Sequence, residues 1–171
     1  YIEKAKKNNM LVCTNYMKSY AVSPNIFAEK AKLSKSYGAD LVYLVDSAGG
    51  MLPNDVKEYI SVLKDSINID FGYHGHNNLG LAVSNSLLCA EMGARLVDTS
   101  LQGIGRSAGN APTEHVALLF SRLNEGEPID LFEVLDIGFD HIQPILEQKG
   151  FNPIDMVSGY ALFHSSYMPL I

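Results

Sequence analysis

The most informative segment for the fold is Leu41-Val-Tyr-Leu-Val45, followed by Asp46-Ser-Ala-Gly-Gly50. Its run of aliphatic and aromatic residues predicts a strand that ends abruptly in polar and small residues. A helical pattern follows over residues 53–66 and opens with Pro53, a residue type favoured at the first helical position. The segment therefore predicts a strand, a turn and a helix, in that order.

Outward from this unit, the same alternation continues in both directions. Three more runs predict strands, at residues 10–16, 67–73 and 95–101. Further helical patterns cover residues 24–37, 79–92, 112–123, 130–149 and 153–171, with Ser23 as the expected cap of the first and Gly93 closing the second. Because right-handed crossovers join consecutive parallel strands, the alternation predicts an α/β protein with a parallel sheet, either doubly wound or an arc of a barrel.

The composition narrows the class of protein. The chain has 171 residues, 47% of them hydrophobic, and a formal net charge of −6, as expected for one soluble globular domain. The sequence has no basic stripe and no apolar run long enough to cross a bilayer, which argues against a nucleic-acid or membrane partner. Residues 1–25 lack the pattern of a signal peptide, so we expect a cytoplasmic protein.

The cysteines and the chain ends add two expectations. Cys13 and Cys89 are too few and too far apart for a disulfide framework or a redox motif, so both are predicted to be buried thiols. Residues 1–10 have the pattern of the last turns of a helix, and residues 158–171 have a helical pattern that stops without a cap. We therefore expect the chain to be an excerpt of a longer protein.

The end of the third predicted strand is the strongest candidate site. His74 and His76 are two residues apart, which places both side chains on one face of a strand, and Gly75 between them leaves room for close approach. Two imidazoles in this arrangement suit one metal ion. The alternative is two histidines satisfied by ordinary hydrogen bonds at a strand end.

Two other strand ends carry polar and small residues. Ser47 is placed to donate a hydrogen bond to a substrate carboxylate and Asp46 to orient a neighbouring group; the alternative is a plain turn with Ser47 as a helix cap. The loop from Leu101 to Asn110 has a GxGxxxG pattern, which is not the fingerprint of a dinucleotide site. Its Asn110 either turns its amide oxygen toward a metal or caps the next helix.

Two longer strings carry a resemblance to a known family. They are Gly72-Tyr-His74-Gly-His76-Asn-Asn-Leu-Gly-Leu-Ala-Val-Ser-Asn85 and Gly103-Ile-Gly-Arg-Ser-Ala-Gly-Asn110-Ala-Pro-Thr-Glu114. Together with Asp46-Ser47-Ala-Gly-Gly50 and Gly159-Tyr-Ala-Leu-Phe-His-Ser-Ser-Tyr167, they resemble the metal-dependent 4-hydroxy-2-oxovalerate aldolases, part of a wider group of TIM-barrel lyases and condensing synthases. The resemblance implies the C-terminal half of a (β/α)8 TIM barrel, strands five to eight, over residues 1–124. It also implies an incomplete helical C-terminal region over residues 125–171.

The resemblance further implies a site and a reaction. In such enzymes a divalent metal, Mn²⁺ or else Mg²⁺ or Co²⁺, binds two histidines that match His74 and His76 and an Asp of the first strand. Asn110 and Asp46 are candidate metal ligands or candidate partners of those ligands. The implied substrate-binding residues are Ser47, His74 and His164. The implied reaction is aldol cleavage of a 4-hydroxy-2-oxoacid to pyruvate and an aldehyde through a metal-held pyruvate enolate. Only Lys18 lies near a strand end, so a Schiff-base lysine is not favoured.

This sequence departs from the family pattern in two places. His164 stands where the aldolases carry a substrate-contacting Tyr, so it is predicted to be a catalytic, proton-donating group. We expect it on a helix over residues 154–168, where it interrupts an apolar stripe that includes Met156, Val157, Tyr160, Ala161 and Met168. The family's Arg-Asp pair and its catalytic His on the first strand are absent from these residues, so this chain alone is expected to be inactive.

The implied partners are a small 2-oxoacid substrate, an acylating aldehyde dehydrogenase and further copies of the same chain, in a setting of aromatic catabolism. Two other functions stay open. One is an acyl-CoA-using condensing synthase or lyase of the same group. The other is a non-catalytic assembly domain.

Overall fold

Four parallel strands form one sheet in chain order: β1 (Cys13–Tyr16), β2 (Leu41–Asp46), β3 (Asp70–Gly75) and β4 (Leu96–Val97). This computed structural model describes residues 1–123, 129–146, 152–164 and 166–167. The register pairs Leu41 with Cys13 on one side and with Asp70 on the other. A doubly wound sheet reverses its strand order at one point, whereas this order never reverses. The four strands are therefore the arc of a barrel, which confirms one of the two predicted arrangements.

Three helices connect the strands and pack against one face of the sheet: α2 (Pro24–Ser36), α3 (Pro53–Ser66) and α4 (Ala82–Glu91). Helix α1 (Ile2–Lys6) precedes β1, and α5 (Thr113–Leu123), α6 (Leu131–Ile137) and α7 (Pro153–Tyr160) follow β4. Ser23 caps α2 by accepting a hydrogen bond from the Ile26 amide, and Gly93 follows α4 with a positive φ of 90°, as predicted. The predicted strand–turn–helix unit from Leu41 to Ser66 is confirmed in full.

Several predicted boundaries are wrong. The strand predicted for residues 95–101 contains only Leu96–Val97, since Leu101–Gly103 form a 3₁₀ turn. The helix predicted for residues 130–149 changes after Ile137 into a π turn and a 3₁₀ turn. Gly138 weakens the helix there, and the ring of Pro144 removes a backbone donor. Residues 147–149 lie outside the described part, as does the proposed domain boundary at residue 124.

The main core lies between the sheet and helices α2, α3 and α4. Its buried side chains include Phe27, Val42, Leu44, Val56, Ile60, Leu63, Phe71 and Tyr73. Burying each large apolar side chain stabilises the fold by roughly 1.5–3 kcal/mol. Leu41, Tyr43 and Val45 form a second cluster on the opposite face of β2, as the period of two along a strand requires. On β3 the same alternation directs Phe71 and Tyr73 to the helices and His74 to the opposite face.

The two cysteines differ, so the prediction that both are buried is wrong for one of them. Cys89 is fully buried in the core, and this burial raises the pKa of its thiol. Cys13 is exposed because it begins β1, an edge strand of the described sheet. Within the described ranges, no helix has both the length and the apolar composition needed to cross a bilayer.

Candidate metal centre

His74 and His76 lie side by side at the carboxyl end of β3. Their ring centroids are 5.4 Å apart and the ring planes meet at 76°. The Nδ1 atom of His74 lies 3.1 Å from Oδ2 of Asp98, and the Nδ1 atom of His76 lies 3.2 Å from the carbonyl oxygen of Arg106. Because both oxygens only accept hydrogen bonds, each Nδ1 carries the hydrogen and each Nε2 keeps a lone pair. This is the tautomer that binds metal ions through Nε2.

Burial and neighbouring groups favour neutral imidazole at His76, and hydrogen bonds favour a charged carboxylate at Asp98. Burial, aided by the neighbouring His74, lowers the pKa of His76 below its ordinary value of 6.5. Burial alone would raise the pKa of Asp98, but hydrogen bonds from His74 and Tyr43 outweigh it and lower that pKa. Tyr43 donates its hydroxyl to Oδ1 of Asp98 at 2.9 Å. Asp98 is thus an ionised acceptor that orients His74.

Asn110 places an unused acceptor next to this pair. Its backbone pairs with His76 in an isolated antiparallel bridge, and its side-chain amide donates to Ser100 Oγ at 3.3 Å and to the Ile104 carbonyl at 3.2 Å. Its Oδ1 atom is buried, and no described residue donates a hydrogen bond to it. The predicted alternative, a helix cap, is not observed because this oxygen contacts no amide of α5.

These residues fit a divalent cation, although they do not complete its coordination. Two imidazoles with uncommitted Nε2 atoms and one orphaned amide oxygen form the donor set. In the described ranges, no three His, Cys, Asp or Glu side chains are grouped closely enough to hold a metal ion by themselves. A further carboxylate ligand would have to come from outside this group of residues.

The turn after β2 holds Ser47 next to the histidine strand. Ser47 is buried, and its Oγ accepts a 2.9 Å hydrogen bond from the backbone amide of Lys18. Its own hydroxyl hydrogen therefore remains available to a ligand. Asp46 accepts hydrogen bonds from the amides of Gly50 and Met51, and burial raises the pKa of its carboxyl group. Asp46 thus organises the turn, and Ser47 does not cap α3, whose cap position is Leu52.

The glycine-rich loop is packed closely around His76. Gly109 has a positive φ of 80°, and a Cβ atom there would lie 2.0 Å from the Gly103 carbonyl oxygen. The carbonyl of Gly109 accepts a 2.9 Å hydrogen bond from the amide of Asn77, the residue after His76. The glycine spacing therefore serves to bring the loop backbone, including the Arg106 carbonyl, against the histidines.

His164 is buried but does not lie on a helix, which corrects the prediction for residues 154–168. Helix α7 ends at Tyr160, and Leu162 adopts a left-handed φ of 52° that turns the chain. His164 is only 4% exposed. Its Nδ1 accepts a 3.0 Å hydrogen bond from the Ser166 amide, so neutral His164 carries its hydrogen on Nε2. Met168 lies outside the described residues.

The predicted apolar stripe on α7 is also wrong. Met156, Val157 and Tyr160 are exposed, whereas Asp155, Ser158 and Gly159 are buried. The reason is a polar contact with the site: the Asn78 amide donates to the Asp155 carbonyl at 2.8 Å and to Ser158 Oγ at 3.0 Å. Ser107 Oγ lies 2.7 Å from the same Asn78 Nδ2 atom, so the two amide hydrogens are shared among three acceptors, and Ser107 Oγ donates to Asp155 at 2.6 Å.

Electrostatics link His164 to the histidine pair. The charge of His164 contributes to lowering the pKa of His76. The pKa of His164 itself is lowered by burial and by the nearby charges of Lys18 and Arg106. The fold therefore brings Ser47, His74, His76, Asn110 and His164 into one region at the carboxyl ends of the strands.

Sequence reasoning missed Asp98, the partner of His74. A polar residue inside the predicted strand 95–101 was the available signal, but its partner, His74, lies on a different strand.

We predict that Asp98→Asn weakens binding of Mn²⁺ about 10–100-fold, because an amide no longer selects the required tautomer of His74. Titration of the protein with Mn²⁺, with unbound metal measured by electron paramagnetic resonance, checks this.

Asp70→Asn is the matched control for that prediction. Asp70 lies at the start of β3, the strand that carries His74 near its other end, and it pairs with exposed Arg95 at 2.5 Å. This variant should bind Mn²⁺ as the parent protein does. Equal affinities in all three proteins would show that Asp98 does not orient a metal ligand.

Known proteins resemble this chain in sequence and in fold. The family model described as HMGL-like matches residues 1–139. The 4-hydroxy-2-oxovalerate aldolase 2 of Rhodococcus jostii is 40% identical over 167 residues, which cover 97% of this chain and 49% of that protein. The chain thus spans about half the length of the curated relatives it matches.

Two solved structures share the fold. The N-terminal domain of a candidate aldolase from Bacteroides vulgatus superposes with a TM-score of 0.82 at 31% identity, covering 98% of this chain and 56% of that one. The HMG-CoA lyase of Bacillus subtilis superposes with a TM-score of 0.74 at 20% identity, covering 82% of this chain and 52% of that one. The second likeness concerns the fold alone.

Proposed function

This chain belongs to the HMGL-like family, and on that premise we propose that it is part of a divalent-metal-dependent aldolase that cleaves a 4-hydroxy-2-oxoacid into pyruvate and an aldehyde. The observation that carries the proposal is the histidine pair. Each imidazole has its Nδ1 hydrogen committed to an oxygen, so both Nε2 atoms are available to one ion. Relatives named 4-hydroxy-2-oxovalerate aldolase support the choice of substrate class.

Each residue of the site has a distinct proposed role. His74 and His76 would hold the cation, and the Oδ1 atom of Asn110 lies beside them as a further acceptor. A bound divalent cation, which we propose to be Mn²⁺ or else Mg²⁺ or Co²⁺, supplies Lewis-acid stabilisation of the charge that develops when the C3–C4 bond breaks. The Ser47 hydroxyl donates to the substrate carboxylate, because its acceptor side is already taken by the Lys18 amide.

His164 completes the proposed site on the aldehyde side. With Nδ1 engaged by Ser166, its Nε2 hydrogen is free to bond the C4 oxygen of the substrate or the aldehyde product. The base that removes the C4 hydroxyl proton is not assigned to a residue of this chain. Of the other functions considered, an acyl-CoA-using enzyme has support only at the level of the fold.

The test uses the protein with the sequence that flanks this chain in its gene. Purified protein is given 4-hydroxy-2-oxovalerate, and pyruvate is measured by a coupled lactate dehydrogenase assay. We expect pyruvate release that a chelator abolishes and added Mn²⁺ restores, and none from the 171-residue chain alone. Absence of pyruvate with every divalent cation tried, or release that chelation leaves unchanged, would refute the proposal. An acylating aldehyde dehydrogenase partner and a homo-oligomer stay predictions.

We predict distinct effects for two substitutions of His164. His164→Phe should lower turnover about a hundredfold, because it removes a donor to developing negative charge. His164→Tyr should keep a donor and shift the preferred aldehyde. Protonation of His164 takes place on Nδ1 and breaks the hydrogen bond from the Ser166 amide, and burial lowers the pKa of this imidazole. The change that this protonation causes in the pH–rate profile should therefore lie below pH 6.5 and be absent in both variants. The measurements are pH–rate profiles and substrate ranking, and identical results for all three proteins would assign His164 a packing role only.

A further inference from the structure

Lys18 occupies a constrained position that the proposed reaction does not use. It lies two residues after β1 and has a left-handed φ of 57°, a conformation that costs free energy for a residue with a side chain. Its backbone amide donates to Ser47 Oγ at 2.9 Å. This contact places the backbone of Lys18 beside the serine that we assign to the substrate carboxylate.

The side chain of Lys18 leads away from Ser47 toward His164. Its Nζ atom donates to the hydroxyl oxygen of Tyr167 at 2.6 Å and lies 4.2 Å from the centroid of that ring. The ring centroid of Tyr167 is in turn 6.2 Å from that of His164. The ammonium group therefore lies on the His164 side of the site, at the far end of a four-carbon side chain.

Within the described ranges, this ammonium group has no acidic counter-ion. Lys18 is half-buried, yet no acidic side chain among the described residues comes within salt-bridge distance of it. Other cations of the chain do pair with acids: Lys6 with Asp40, Lys32 with Glu29 and Arg95 with Asp70. A tyrosine hydroxyl and ring face attract a cation but do not neutralise it.

A second cation lies near the same end of the site. The backbone carbonyl of Arg106 contacts His76, and its exposed side chain is also without an acidic partner in the described ranges. Burial, together with the nearby charges of Lys18 and Arg106, lowers the pKa of His164. In a chain of net charge −6, this is a local concentration of positive charge facing a binding site.

We propose that Lys18 binds a second carboxylate on the substrate, at the end remote from the 2-oxoacid group. The preferred substrates would then be 4-hydroxy-2-oxo dicarboxylates rather than 4-hydroxy-2-oxoacids with an alkyl end. The inference rests on the proposed function for the orientation of the substrate. With the 2-oxoacid group at the histidines and Ser47, the aldehyde-forming end lies toward His164, where the Lys18 ammonium group lies.

Charge pairing gives this arrangement a selective effect. A carboxylate at Nζ forms a charge-assisted hydrogen bond in a half-buried setting, whereas an alkyl group there leaves the ammonium group unpaired. Tyr167 is partly exposed, so its ring does not seal this end of the site among the described residues. We therefore expect at least a tenfold preference for the anionic ligand.

A binding experiment tests the inference without depending on turnover. The probes are 2-oxoglutarate and 2-oxovalerate, which have the same chain length and differ in a terminal carboxylate against a methyl group. Calorimetry on the protein with its native flanking sequence and Mn²⁺ should show at least tenfold tighter binding of 2-oxoglutarate. Lys18→Met should abolish this preference, and Lys18→Arg, which keeps the charge, should retain most of it.

The control is Lys57→Met, which removes an exposed lysine on α3 and should leave the preference unchanged. The inference is overturned if the parent protein shows no preference or if the preference survives in Lys18→Met. It is also overturned if Lys18→Met weakens both probes equally, because Lys18 would then bind the carboxylate that they share. Should Lys18→Met fail to fold, Lys18→Gln provides the same neutralisation with a polar side chain.

Turnover separates this inference from the proposed function. If neither 4-hydroxy-2-oxovalerate nor 4-hydroxy-2-oxoglutarate yields pyruvate while the binding preference holds, the proposed function fails and the Lys18 assignment stands. If 4-hydroxy-2-oxovalerate is cleaved but 2-oxoglutarate is not preferred in binding, the proposed function stands and the Lys18 assignment fails.

Discussion

Replacing His76 with alanine is expected to abolish metal binding and to lower turnover by at least about a thousandfold. His76 supplies one of two Nε2 donors, and its Nδ1 hydrogen is committed to the Arg106 carbonyl, so no other described side chain can take its place. A bound cation is worth several kcal/mol of charge stabilisation in such a reaction, and each 1.4 kcal/mol corresponds to a factor of ten in rate. Elemental analysis of protein purified without chelator, together with the pyruvate assay, measures both effects.

His115→Ala is the matched control. His115 lies on α5 with its side chain exposed. This variant should keep the metal content and the turnover of the parent protein. An unchanged metal stoichiometry in His76→Ala would refute the assignment of the histidine pair as ligands.

Gly49→Ala is expected to destabilise the protein by about 3 kcal/mol or more and to weaken metal binding as well. Gly49 has a positive φ of 63°, and a Cβ atom there would lie 2.6 Å from the Asn78 amide nitrogen and 2.7 Å from the His76 carbonyl oxygen. The backbone must move to relieve these contacts, which adds an overpacking cost of about 1–3 kcal/mol to a left-handed conformation that costs about 1–2 kcal/mol. The displaced backbone belongs to the histidine segment itself.

Gly80→Ala separates the two causes. Gly80 also has a positive φ, of 71°, but a Cβ atom there would meet no other atom within 4 Å. We expect a loss of only about 1 kcal/mol, due to the backbone conformation alone, with metal binding retained. Denaturant unfolding measures both variants. Equal losses in the two would show that the Gly49 contact with the histidine segment has no energetic effect.

The features that the sequence predicted well are those that depend on neighbouring residues. The segment from Leu41 to Ser66 has the predicted strand and helix because its apolar run and its proline start are local signals. The side-by-side arrangement of His74 and His76 follows from the period of two in any strand. The strand order was predictable because right-handed crossovers place consecutive parallel strands next to each other.

The features that sequence reasoning missed depend on contacts between distant elements. Helix α7 has exposed Met156 and buried Asp155 because Asn78, 77 residues earlier, satisfies polar groups beneath the helix. Judged from neighbouring residues alone, an apolar face turned toward the core was the better prediction for this helix. The strand predicted for residues 95–101 is short because the glycine-rich loop leaves the sheet to reach the histidines.

The alternation of strands and helices, the parallel sheet and the histidine pair on one face of β3 can all be read from the amino-acid sequence. The partners of the two imidazoles, the position of His164 and the surroundings of Lys18 emerge only in the folded chain, where Tyr167, 149 residues away, contacts Lys18. The physical reason is the range of the interactions. Backbone periodicity and capping act over a few residues, whereas a hydrogen bond or a charge acts between whatever groups packing has brought within a few ångströms.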